Sequence, residues 1–301
     1  MRAARALLPV ATALLGGCWV ALDLDDKEFS LVPGDTGGGG AGGGSTTTTG
    51  GRDGMVAVSP PGHDPYLIDS TEVTVAAYDA WLKTSPSTDG QRSTCSWNTS
   101  FVPGECDPNG SCGCSGSGIT LEGELLKSAK LPVRCIDFCD AVAFCEGQGK
   151  HLCGGLDDVV LEGAPPASND PNLSEWYYAC SNGAAAITIE PVSVQTFPYG
   201  GTFTLGACVD SSIDFSGPHD TGTPTCSGGI PGIYDMSGNV EEWVDHCYGT
   251  EPPGSGTACF RPGGAFWNAE PDQLDCDLWW EQSTDIRDQS PSTGFRCCDD
   301  P

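Results

Sequence analysis

Basic side chains are scarce in this chain. Lys and Arg number 13 against 41 Asp and Glu, a formal net charge of −28. Such a balance excludes a nucleic-acid-binding surface and attraction to anionic lipid. It favours divalent cations or basic partners, and it equally serves plain solubility outside a cell. Long apolar runs are also missing: no internal stretch approaches the roughly 20 residues that a membrane-spanning helix needs. Histidine is reduced to four isolated residues, His63, His151, His219 and His246, so none is assigned as a ligand or base. There is no G-x-S-x-G, no Walker loop and no H-E-x-x-H. Charged residues make up only 18%, alongside 42 Gly and 23 Pro, which predicts a loop-rich globule and not a helical bundle.

Cysteine, by contrast, is abundant. Seventeen are spread along the chain and not grouped at zinc-ribbon spacing, which implies an oxidising compartment. The N-terminus points the same way. Arg2 and Arg5 precede an apolar stretch, Ala6 to Leu15, too short to span a bilayer. It ends in Leu15-Gly16-Gly17-Cys18, which resembles a bacterial lipobox. On that resemblance residues 1–17 are a signal peptide and Cys18 is acylated; a non-lipidated signal peptide is the alternative. Setting Cys18 aside leaves an even sixteen of the 17 cysteines. Residues 18–54, centred on GDTGGGGAGGGSTTTTGG, read as a flexible tether. The chain is therefore expected to be exported and lipid-anchored to the cell envelope, touching membrane only through that anchor. Trp19 after Cys18, in place of Asp, points to the outer membrane by analogy with lipoprotein sorting.

One folded domain is expected over 55–301. Tyr66 to Leu82 should begin as a strand and become a short helix N-capped by Thr74. Residues 85–118 break the periodicity and hold Cys95, Cys106, Cys112 and Cys114. They read as a disulfide-stapled insertion, with a metal-binding knuckle as the alternative. Within Pro132 to Gly149, Cys135, Cys139, Ala143 and Phe144 fall at helical spacing, with Gly147 or Gly149 as the stop. Cys135 and Cys139 would then share a helix face, each reaching a different partner. SEWYYAC, Ser174 to Cys180, is a second short helix. The segments beyond it are broken by Gly and Pro and read as short strands and long loops.

Gly232 to Val244, GIYDMSGNVEEWV, is the densest stretch. Ser237-Gly238-Asn239 is a turn that can reach φ > 0 at Gly238 or Asn239, followed at once by Glu241, Glu242 and Asp245. The string resembles the signature G-[LIV]-Y-D-M-x-G-N-V-x-E-W of the sulfatase-modifying-factor family, whose founding activity is the formylglycine-generating enzyme. Further matches run in order. YLIDSTEVTVAAYDAWL resembles F-x-[IM]-D-x-x-E-V-T-N-x-x-[YF]-x-x-F, with Val75 in place of its asparagine. In PVRCIDFCDAVAFCEGQGKHLCG, Asp140, Ala141, Phe144, Cys145, Gly149, Lys150 and Leu152 match, while His151 and Cys153 replace the usual Arg and Pro. SEWYYAC, Phe197-Pro198-Tyr199-Gly200, Arg261 to Phe266 and Gly294-Phe295-Arg296-Cys297 complete the series. The resemblance implies a single α+β domain, similar to C-type-lectin folds, with little regular structure. In so loop-rich a fold disulfides and bound calcium are natural supplements.

Two site expectations arise from the resemblance. Asn239, Glu242 and the carbonyl of Val240 would ligate a structural calcium, oxygen donors suited to a hard cation; otherwise Asn239 caps the turn and Glu242 takes backbone amides. The family's oxidation of a substrate cysteine uses copper(I) on two thiolates, a soft donor pair. The first lies just after G-G-S-[YFW]-x and the second five residues later. Here those positions are Asn268 and Gln273. The nearest thiol is Cys276, a weak candidate displaced by an apparent insertion. Cys297-Cys298 could form a reducible vicinal bridge or bond elsewhere separately. The reading is a non-catalytic module that binds an unknown protein or glycan at the envelope. The alternatives are a copper- and oxygen-dependent thiol oxidoreductase with a relocated site around Cys276, and a carbohydrate-binding module using Trp267, Trp279 and Trp280.

Overall fold

Tyr66, Leu67 and Ile68 are all buried, and they lie on one of the two inner strands of the first sheet. A computed structural model of the chain describes residues 54–104, 114, 117–163, 170–183, 196–228, 230–249, 256–277 and 282–301, all within the unit Thr48–Pro301. The signal segment with Cys18, nearly all of the tether, Cys106, Cys112, Trp279 and Trp280 lie outside the described residues.

The strands are short. β1 (Met55–Val58) and β2 (Tyr66–Asp69) form an antiparallel hairpin. β10 (Cys297–Asp299) adds to β2, and β3 (His151–Leu152) closes the sheet in the order β1-β2-β10-β3. A second sheet runs β4 (Leu161–Glu162), β6 (His246–Tyr248), β7 (Ala258–Phe260), β8 (Ser283–Asp285). β5 (Glu241–Trp243) pairs in parallel with β9 (Thr293–Phe295). That pairing brings the EEW of the signature motif against the Gly294-Phe295 that precedes Arg296.

Helices start where local chemistry provides a cap. Thr74 accepts a hydrogen bond from the Ala77 N–H and opens α1 (Val75–Leu82), which buries Val75, Tyr78 and Trp81. α2 (Leu121–Lys127) is capped by Thr120. α3 (Phe138–Gly147) carries a reciprocal capping box between Asp137 and Asp140, and losing such a cap costs about 0.5–2 kcal/mol. It is buried over most of its surface, as a core helix should be. α4 (Glu175–Ser181) is capped by Ser174 and ends on Asn182 at φ 53°. Among the described residues no helix is long and apolar enough to cross a membrane.

One expectation needs correction. Cys135 does not share a helix face with Cys139, because α3 begins only at Phe138. Its φ is +62°, and its N–H is committed to the Ser290 carbonyl. The segment before the helix is held by long-range backbone bonds, which defeat a local i,i+4 reading. The two cysteines do reach different partners, Cys114 and Cys95. Both of those lie in the 85–118 segment, so the insertion is stapled onto the edge of α3. The other bridges are Cys145–Cys297, Cys153–Cys298, Cys180–Cys276, Cys208–Cys226 and Cys247–Cys259. Cys297 and Cys298 thus bond separately, their side chains leaving β10 on opposite faces as strand alternation requires.

The core has two main clusters. One gathers Tyr78, Trp81, Phe101, Phe138, Phe144, Trp243 and Phe295. The other gathers Tyr66, Ile68, Trp176, Ile233, Met236 and Phe260. Trp243 and Met236, two of the motif's large side chains, are therefore core anchors, and Tyr234 is only partly buried.

Candidate functional site

The motif's turn sits where only permissive residues fit. Gly238 and Asn239 both have positive φ, 70° and 58°. A Cβ on Gly238 would lie 2.3 Å from the Val209 carbonyl oxygen. The turn is stitched to its neighbours through the Gly238 N–H to the Gly263 carbonyl and the Asn239 N–H to the Val209 carbonyl, and the Phe266 N–H donates back to the Asn239 carbonyl.

The three residues named for calcium are placed by this turn, but the side-chain oxygens of Asn239 and Glu242 are taken. Arg296, fully buried, donates from Nε to Glu242 Oε2 at 2.7 Å and from Nη2 to Oε1 at 2.6 Å. Trp176 Nε1 adds a third bond to Oε2. The Asn239 amide oxygen accepts the His219 N–H, and its nitrogen donates to Glu72 Oε1. A calcium ion would need to sit about 2.3–2.6 Å from these oxygens, hard against a guanidinium. The predicted donor set therefore does not fit the ion. The cation of this site is Arg296 itself, whose remaining donors reach the carbonyls of Asp69 and Tyr234.

Around it are more carboxyls than one guanidinium balances. Glu72 is buried and its Oε2 has no hydrogen-bond partner among the described residues. Burial, then the neighbouring Asp235, push the Glu72 carboxyl well above its ordinary range, with Arg296 pulling the other way. Asp235 is raised by burial against the backbone amides of Gly222 and Thr223 that it accepts. Burial opposes the charge on Arg296, but Glu242, Glu72 and Asp235 hold it firmly.

The segment Gly263–Cys276 packs directly against that turn. Gly264 has φ 68°, and a Cβ there would lie 2.0 Å from the Gln273 carbonyl oxygen. Asn268 caps the bend: its Oδ1 accepts the Ala265 N–H at 2.7 Å. Residues 269 to 273 are exposed, as is Trp267 at 43%. Cys276 is fully buried and bonded to Cys180. Among the described residues every cysteine is in a disulfide. The one described cluster with three ligand-type side chains within 4.8 Å is Cys153, Glu175 and Cys298, and its two sulfurs are bonded to each other.

Two adjoining cavities lie elsewhere, and sequence reasoning missed them because their walls come from segments far apart in the chain. The first, about 630 Å³, is walled by the carboxylates of Asp64, Asp157, Asp158 and Asp300, with His151 and Glu175 at its side. Asp157 and Asp158 both hold positive φ, 55° and 59°. His151 Nε2 is 3.0 Å from Glu175 Oε1. Burial opposes protonation there, but Glu175, then Asp300 and Asp299, raise the imidazole above its ordinary value. The second cavity, about 580 Å³, has Phe138, Leu161 and Ile286 among its walls, together with Ser93, Thr94 and Cys247. The two share Arg92, Val160 and Asp245. Arg92 bridges Glu146 and Asp245 across that junction.

A family model described as sulfatase-modifying factor enzyme 1-like domain matches residues 37–301. Solved structures with similarity include PvdO from Pseudomonas aeruginosa, 17% identical over 82% of this chain and 92% of that one, TM-score 0.47. CarF is 19% identical over 79% of this chain and 87% of its own, TM-score 0.44. Treponema denticola variable protein 1 is 18% identical over 79% and 85%, TM-score 0.44. No curated protein matches the chain.

Proposed function

The chain belongs to the sulfatase-modifying factor enzyme 1-like family, and from that premise we propose that it is a non-catalytic binding module of the cell envelope, tethered through an acylated Cys18. One observation carries the reading. At the positions where the family resemblance implies copper thiolates, this chain has Asn268 and Gln273, and the nearby Cys276 is bonded to Cys180. An amide cannot supply the thiolate that copper(I) requires. The ligand's place in this reading is the paired cavity at the Arg92–Asp245 bridge, whose acidic half suits a basic group on a partner protein and whose other half is more apolar.

Alkylation of the purified protein under non-reducing conditions, followed by mass spectrometry, tests this. None of the fourteen described cysteines should be labelled. Two reactive thiols beside Cys276 together with tight copper(I) binding would overturn the proposal in favour of an oxidoreductase.

A further inference from the structure

The seven described disulfides are not equally placed. Thirteen of their fourteen cysteines are buried; Cys247 alone is half-buried. It is also a wall residue of the second cavity. Its partner Cys259 is fully buried, and the two face each other in register across antiparallel β6 and β7. Thiol–disulfide exchange needs a thiolate to reach a sulfur, so access discriminates among bonds of equal chemistry. Arg92 and Asp245 line the same space as an ion pair, so access and not local charge distinguishes this bond. Phe138, Leu161 and Ile286 provide apolar wall for the residues flanking an incoming cysteine.

We propose that Cys247–Cys259 is the exchange-competent bridge among the described disulfides, and that the second cavity receives a cysteine-bearing segment of a partner protein. The partner's thiolate attacks Cys247 Sγ. The bond to Cys259 breaks, Cys259 leaves as a thiolate and takes a proton from water, and the partner is held to Cys247 by a mixed disulfide. One disulfide and one thiol exist before and after, so no external oxidant is consumed. Where the partner carries a second thiol, its attack on the mixed bond releases Cys247. Two electrons have then passed to the chain in a single stoichiometric turnover, and the partner leaves with its own disulfide. The inference goes beyond the binding reading and does not depend on it, since alkylation before reduction tests that reading and the order of reduction tests this one.

The test treats the native full-length protein with graded dithiothreitol and no denaturant, then alkylates and maps the peptides. Cys247 and Cys259 should be labelled at least about tenfold faster than any of the other six described bridges, as their access predicts. Labelling together with or after those bridges overturns the proposal. In Cys259→Ser the freed Cys247 should form a mixed disulfide with oxidised glutathione, whereas Cys259 in Cys247→Ser should not. Should either variant fail to fold, the wild-type order of reduction decides alone.

Discussion

Two neighbouring turns divide the labour of this domain. Gly232–Val244 and Gly263–Cys276 exchange backbone hydrogen bonds, yet they use their side chains oppositely. The first turns Asn239 and Glu242 inward, onto Glu72 and Arg296. The second keeps Gly264 for close backbone contact and exposes residues 269 to 273. In the first, a substitution must satisfy a buried charge network; in the second, one at Trp267 or within 269–273 meets water. A lineage can therefore keep the scaffold signature while the chemistry beside it changes.

The contrast is broken most severely at Arg296. Arg296→Gln leaves Glu242 buried with Trp176 as its one remaining side-chain donor, and stability should fall by about 3–5 kcal/mol in urea denaturation. Adding Glu242→Gln should recover part of that, since the uncompensated charge is gone. A loss below about 1 kcal/mol for the single variant would mean that the first turn is no more constrained than an exposed pair.

At the second turn the matching change is Asn268→Cys with Gln273→Cys. Asn268 gives up one hydrogen bond to the Ala265 N–H, worth about 1 kcal/mol, and Gln273 is exposed. The double variant should therefore fold with the wild-type bridges and lose about 1 kcal/mol in all, and it should bind copper(I) more tightly than the parent. A loss near that of Arg296→Gln would erase the distinction between the turns.

Legibility in the sequence divides along the same line. Thr74, Ser174 and the positive-φ turn at Gly238-Asn239 are local chemistry, and each forms as its neighbours dictate. The inward anchoring of Met236 and Trp243 is local in the same sense, apolar bulk seeking burial. The partner of Glu242 lies 54 residues away, and that of Asn239 lies 167 away. No periodicity encodes such pairs. Cysteine connectivity is equally closed to a single sequence, and helical spacing misplaces Cys135 because its backbone answers to Ser290 and not to α3.

A smaller effect separates the buried pair from its half-exposed counterpart, His151–Glu175. Arg296 keeps its charge at any ordinary pH, but His151 titrates. Its folded value is raised above the ordinary 6.5 by Glu175, Asp300 and Asp299 against the cost of burial. A raised folded value means that the stabilisation is fully present below the unfolded pKa. It is lost as pH rises through the folded one. Urea midpoints should decline above about pH 6.5, by less than about 1 kcal/mol because the imidazole is partly exposed. His151→Arg should flatten that decline. An unchanged slope in the variant would assign it to other groups.

The smallest expected effect is none, and it concerns calcium. Three carboxyls, Glu72, Asp235 and Glu242, surround one guanidinium, which at first suggests a missing dication. An internal cation already faces them: Arg296 pairs with Glu242, and burial raises the Glu72 and Asp235 carboxyls above their ordinary range. Adding calcium or a chelator should move the melting temperature by less than about 1 °C at ligand concentrations that would fill a moderate site. Glu72→Gln should leave stability near neutral pH unchanged or raised. It can keep an oxygen for the Asn239 amide, and it removes an acid whose second oxygen has no hydrogen-bond partner among the described residues. A melting temperature that climbs several degrees with calcium in the parent and not in Glu72→Gln would instead place a cation beside Glu72, and the two turns would then share a metal in place of an internal arginine.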